Sequence, residues 1–156
     1  MPLSPGVHWF SPTIPLHVLD AARPGPTALV QAGIHGDEIA GVHALQELLE
    51  EDALRPTHGR LIVVPIMNPP AYRARERKAP GGLDLNRCFP GDAAAPERER
   101  RLARRFMDLV LDERPALVTT LHESTKRYDP AVVPSFGQTI VYGVDPRPPI
   151  VAAYSM

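Results

Sequence analysis

The stretch Ala28-Leu29-Val30-Gln31-Ala32-Gly33-Ile34 is mostly apolar and runs into Gly36, after which apolar residues recur at Ile39, Val42, Leu45, Leu48 and Leu49. A short apolar run followed at once by a 3.6-residue period reads as a buried strand turning into an amphipathic helix. That unit confines the chain to folds in which a helix packs over one face of a sheet. Further strands are expected at Leu16 to Leu19, Arg60 to Ile66, Ala116 to Leu121 and Thr139 to Val144, each rich in Val, Ile, Leu or Thr and most bounded by Gly or Pro. Helices are expected from Asp37 to about Asp52 and from about Pro96 to about Glu113, the second with Leu102, Phe106, Leu109 and Val110 as its apolar stripe. Strands alternating with helices specify an α/β fold.

A chain of 156 residues is the size of one ordinary domain, so residues 1–156 are read as a single domain or part of one. The 17 Lys and Arg against 18 Asp and Glu leave a net charge of −1, which gives no reason to expect nucleic acid or an anionic membrane as a partner. The one cysteine, Cys88, excludes an intrachain disulfide and any cysteine-based zinc cluster, and it fits a reducing cytoplasm. The first residues lack a basic segment followed by an apolar one, and no apolar run reaches the ~18 residues of a membrane span. The 19 prolines cluster at segment boundaries such as Pro24-Gly25-Pro26 and Pro69-Pro70, where they punctuate loops. The charged run Arg98 to Arg105 mixes both signs and reads as a solvated helix face.

His35 stands on the strand-to-helix turn, three residues before Glu38, and His122 closes a second strand candidate. A histidine, a carboxylate three residues on and a distant second histidine form the ligand set of a catalytic zinc site, which keeps its fourth position for water. An H-x-x-E pair alone occurs by chance. Here it sits at the carboxyl end of a strand, the edge at which open α/β sheets bind their ligands, and Gly33 and Gly36 bracket it as a tight turn requires. His8, His17, His43 and His58 have no such surroundings and read as structural or surface residues.

Between Asn68 and Ala95 no periodicity appears, and a loop that long inside one domain is uncommon unless it has a function. It carries Asn68-Pro69-Pro70-Ala71, then Arg73, Arg75 and Arg77, then Asp84-Leu85-Asn86-Arg87-Cys88-Phe89-Pro90-Gly91. Arg73 and Arg75 are read as solvated.

Taken with Gly33-Ile34-His35-Gly36-Asp37-Glu38 and Leu121-His122, these motifs make the chain resemble the succinylglutamate desuccinylase and aspartoacylase family, a branch of the zinc carboxypeptidase-like hydrolases. The resemblance covers about Ala28 to His122, with the motifs in family order. It implies a mixed sheet with helices on both faces. It implies Zn2+ held by His35, Glu38 and His122, with Arg77 near the scissile carbonyl and Asn86 with Arg87 clamping a substrate carboxylate. The implied reaction is hydrolysis of the amide bond in an N-acyl amino acid or a similar small carboxylate-bearing amide. The chemistry is consistent with each role, since zinc activates water and polarises a carbonyl, and guanidinium groups stabilise an oxyanion or hold a carboxylate.

The family places its general base, a glutamate, on a strand well beyond the third ligand, so the chain reads as the N-terminal part of a longer hydrolase, incomplete at its C-terminus. No Glu follows Glu123, and Asp129 and Asp145 adjoin prolines and read as turn residues. Glu123 is the substitute base within reach of His122, although neighbouring strand residues point to opposite faces. Homo-oligomerisation is left open, and with it a base from a second chain. The other reading is a non-catalytic metal- or carboxylate-binding domain.

Overall fold

The structure is a computed structural model and describes residues 3–124. Five strands form one sheet: β1 Gly6–Ser11, β2 Ile14–Asp20, β3 Thr27–Gln31, β4 Arg60–Val64 and β5 Leu117–Thr120, in the order β1-β2-β4-β3-β5. The pairs β1–β2 and β2–β4 are antiparallel, whereas β3 runs parallel to both β4 and β5. The sheet is therefore mixed, with the carboxyl ends of β3, β4 and β5 at one edge. All these elements fall within Met1–Glu123, one compact unit.

Helices cover both faces. Helix α1, Ala40–Glu50, buries Val42 and Leu45 against Ala32 and Val63 on one side. Helix α3, Arg98–Glu113, buries Leu102, Phe106 and Leu109 against Leu16, Val18, Leu29 and Ile62 on the other. Phe106 meets the rings of Phe10 and Phe89 edge-on at 6.4 and 5.9 Å, a favoured aromatic geometry. Strand β2 shows why alternation is diagnostic: Ile14, Leu16 and Val18 are buried while the residues between them are only half-covered.

Four expected strands occur, β2 longer than expected at both ends and the other three shorter overall, and the fifth, Thr139 to Val144, lies outside the described residues. Strand β1 has no counterpart in the sequence reading. It is a sheet edge whose Val7 and Trp9 stay exposed and only Phe10 is buried, so no apolar alternation marks it. The first helix begins at Ala40, not Asp37, which puts Glu38 in the turn before it. Its apolar stripe is also narrower, with Leu48 exposed. The supposed loop contains a short helix α2, Pro69–Ala74, which proline permits because the first helical residues need no N–H donor, and a single 3-10 turn, Leu85–Arg87. Among the described residues no helix is long and apolar enough to cross a membrane.

Candidate metal centre

Parallel pairing of β3 with β5 places Gln31 opposite Thr120, so the chain leaves both strands at the same edge. His35 follows one strand end and His122 the other. The turn carrying His35 is fastened to the segment after β4, where Met67 N donates to Ala32 O at 2.9 Å and Asn68 N to Gly33 O at 2.9 Å. Fully buried Asn68 adds its side chain, donating Nδ2 to Ile34 O at 3.4 Å and accepting from Arg98 Nη1 at 3.1 Å. Gly33 has φ +67°, open to glycine at no steric cost. Gly36 passes so close to α2 that a Cβ there would collide with the Ala71 carbonyl.

His35 Nδ1 lies 2.7 Å from Glu38 Oε1, and His122 Nδ1 lies 2.6 Å from Glu38 Oε2. The two imidazole rings are 5.1 Å apart, and the nearest ligand atoms of the three residues all lie within 4.8 Å of one another. His35 is buried, Glu38 nearly so, and His122 open to solvent, leaving one side of the cluster accessible. Burial raises the Glu38 carboxyl's affinity for a proton, but hydrogen bonds to His122 and His35, together with their charge, outweigh it and hold the group far below the usual carboxylate range.

Asp84 completes the arrangement. Its Oδ1 lies 3.2 Å from His35 Nε2 and accepts from Asn86 N at 3.0 Å, while Oδ2 accepts from Arg77 Nε at 3.1 Å. Burial works against its ionisation, and the contacts with His35 and Arg77 prevail, lowering its pKa. Sequence reasoning quoted Asp84 only as a motif member and gave it no role. The same holds for Asn68. Their signal was position alone: Asp84 leads the motif that holds Asn86 and Arg87, and Asn68 leads the one that precedes Arg77.

Arg77 spans Asp84 and Glu38, with Nη1 3.6 Å from Glu38 Oε1. Asn86 and Arg87 share the 3-10 turn that Asp84 caps. Arg87 is exposed, and no ion-pair partner for it exists among the described residues. Glu123 lies beyond β5, so strand alternation does not govern it. Its carboxylate accepts from Ala40 N at 3.0 Å at the start of α1, and its own N–H donates to Glu38 Oε2 at 3.2 Å. Arg75, read as solvated, ends α2 with its guanidinium 4.8 Å above the Tyr72 ring.

The donor set fits a divalent metal. A neutral imidazole has one N–H and one lone pair. If a neutral His35 donates to Asp84 through Nε2, its Nδ1 lone pair faces a carboxylate oxygen, a contact that a metal ion between the two would satisfy. Tetrahedral zinc, with bonds of about 2.0–2.1 Å, spaces its ligand atoms about 3.3 Å apart. The two close pairs would therefore open by about 0.7 Å around such an ion. With both imidazoles neutral, as ligands must be, Glu38 and Asp84 outnumber Arg77 in charge, and a dication would reverse that balance.

A family model described as the succinylglutamate desuccinylase/aspartoacylase catalytic domain matches residues 24–132. The N-alpha-acetyl-L-2,4-diaminobutyric acid deacetylase of Halomonas elongata is 40% identical over 111 residues, covering 67% of this chain. The chain spans about a third of that relative's length, 32%. Among solved structures, an aspartoacylase family protein from Mesorhizobium loti superposes with a TM-score of 0.64 at 29% identity, over 77% of this chain and 41% of that one. The murein-tripeptide amidase MpaA from Escherichia coli O157 does so with a TM-score of 0.57 at 26% identity, over 80% and 63%. The mixed sheet is that of the zinc carboxypeptidase-like fold. With the match running through every motif from the His35 turn to His122, the chain belongs to the succinylglutamate desuccinylase/aspartoacylase family.

Proposed function

We propose that this chain carries the metal-binding and carboxylate-recognising part of a zinc-dependent amidohydrolase acting on an N-acyl amino acid or a similar small carboxylate-bearing amide. The observation that carries the reading is the convergence of His35, Glu38 and His122 at one sheet edge with Arg77 beside them. A relative that deacetylates an N-acetyl amino acid supports the same substrate class.

When bound, a zinc ion would supply Lewis-acid polarisation of the scissile carbonyl and activation of water at neutral pH. His35 and His122 would offer Nδ1 lone pairs and Glu38 a carboxylate oxygen. Asp84, accepting from His35 Nε2, would fix the tautomer and ring orientation, as carboxylate partners of ligating histidines do. Arg77, whose Nη1 already faces the cluster, would donate to the carbonyl oxygen as negative charge develops on it. Arg87 would take the substrate carboxylate in a two-pronged contact, with Asn86 adding its amide. Glu123 is committed to the Ala40 N–H and would have to leave that bond to accept a proton.

The test supplies zinc-loaded protein with N-acetyl and N-succinyl amino acids and follows both amine release and binding. Release that falls with Arg77→Ala while binding persists supports the hydrolase. Binding without release, unchanged in Glu123→Gln, would support instead the non-catalytic metal- or carboxylate-binding domain. If neither binding nor release is seen, both readings fail.

A further inference from the structure

A concavity of about 570 Å³ lies between the β1–β2 turn and α3, and four arginines line it against one carboxylate, Asp108, which is taken up by Arg104. Ser11 contributes from the end of β1, Thr13 from the turn, and Arg98, Arg101, Arg104 and Arg105 from the helix. Its size falls within the range of small-molecule sites. None of these residues is among the proposed metal ligands, and only Arg98 reaches the metal centre's surroundings, through Asn68.

The arginines of α3 sort into two groups. Arg100 pairs with Glu97 at 3.5 Å, Arg104 with Asp108 at 2.7 Å, and Arg98 is taken up by Glu99 and Asn68. The Arg100 and Arg104 pairs are the solvated mixed-charge face that the sequence leads one to expect, whereas Glu99 is buried and Arg98 reaches inward to it. Arg101 and Arg105 depart from that pairing. Among the described residues neither meets a carboxylate: Arg101 donates Nη1 to the carbonyls of Ala95 and Pro96, and the Arg105 guanidinium lies 5.7 Å from the Phe10 ring centre. They stand four residues apart, one helical turn, and like charges at that spacing destabilise a helix. Both of these arginines, the two on α3 without a carboxylate partner, line the same concavity.

We propose that this cleft binds a small anion bearing a phosphoryl group, seated between Arg101 and Arg105 with the hydroxyls of Ser11 and Thr13 as further donors. Guanidinium forks match phosphate oxygens and bind them through charge-assisted bonds. Donors on a helix and on a facing turn approach from different directions, which suits a tetrahedral oxyanion better than a planar carboxylate. The chain's lack of net positive charge and the small size of the cleft argue against nucleic acid.

The test titrates inorganic pyrophosphate into the metal-free protein by calorimetry, at low and at near-physiological salt. Expected are saturable 1:1 binding that weakens with salt, a loss of about tenfold or more in Arg105→Gln, and a similar loss in Arg101→Gln, tenfold being about 1.4 kcal/mol. Arg105 makes no hydrogen bond among the described residues, so its variant keeps the test valid if Arg101→Gln loosens the Ala95–Pro96 loop. Arg87→Ala should leave the affinity unchanged, which separates this cleft from the proposed carboxylate clamp. No saturable binding, equal affinity in Arg105→Gln, or loss in Arg87→Ala with none in Arg105→Gln would overturn the proposal.

Discussion

Replacing Asp84 by Asn tests whether the second contact of a ligand histidine governs the metal site. In the structure one carboxylate serves three donors: His35 Nε2 at 3.2 Å and Asn86 N at 3.0 Å through Oδ1, and Arg77 Nε at 3.1 Å through Oδ2. An amide has only one oxygen. If it keeps His35 and Asn86, its NH2 faces the Arg77 Nε–H, donor against donor; if it turns over, the NH2 faces His35 and Asn86 instead. Either way a contact is lost, and the negative charge that strengthens His35 as a ligand is lost with it. Loss of such an outer partner costs about 10–100-fold in metal affinity, or about 1.4–2.7 kcal/mol. Competition with a chromophoric zinc chelator reads the affinity, and thermal melts of the metal-free proteins show whether the fold is intact. An Asp84→Asn protein that melts like the parent and binds zinc within about twofold of it would show that the Asp84 contact does not govern the site.

Gly36→Ala should lower the denaturant midpoint, because its Cβ collides with Ala71 backbone and not with a side chain that could move aside. The cost should reach or exceed the ~1–3 kcal/mol of ordinary overpacking, and an unchanged midpoint would contradict the packing described. Arg87→Lys should weaken an N-acyl amino acid by about 1–3 kcal/mol in calorimetry of the zinc-loaded protein, since the charge stays but the fork is lost. Equal affinity would remove Arg87 from the clamp. The Arg60 guanidinium, bonded to Asp20 through Nε at 2.7 Å and Nη2 at 2.9 Å, holds the Asp20 carboxyl below its usual range. In acid the unfolded chain then takes up the proton first, so the stabilisation is present above the ordinary carboxylate range and is lost as pH falls through the depressed value. Melts of the parent and Asp20→Asn should differ at pH 7, begin to converge near pH 4 and meet only below the depressed Asp20 value; a gap that widens in acid would reverse the sign.

The parts of the fold legible in the sequence are those in which burial imposes a period. Val42 and Leu45 on α1, Leu102, Phe106 and Leu109 on α3, and the alternation of β2 all report a face turned to the core. Strand β1 escaped because an edge with Val7 and Trp9 exposed has no such face. Helix α2 escaped because its prolines look like loop residues, although they suit a helix's first turn. At the candidate site, His35, Glu38 and His122 stood out as ligand types in a suggestive order, and the sheet brings their ligand atoms together. Asp84 and Asn68 could not be assigned, since what each holds lies dozens of residues away in the chain: Asp84 faces His35, and Asn68 bonds Ile34 and Arg98. The capping of α1 by Glu123 was hidden for the same reason. The two unpaired arginines of α3 were hidden in a run whose other charges are paired.

Whether His35, Glu38 and His122 together hold one metal ion is read by elemental analysis of protein equilibrated with zinc and then freed of excess, for the parent and for His35→Ala, Glu38→Gln and His122→Ala. About one zinc per parent chain and little in any variant is expected, as for a site with three protein ligands. Undiminished zinc in both His35→Ala and His122→Ala would contradict that ligand set.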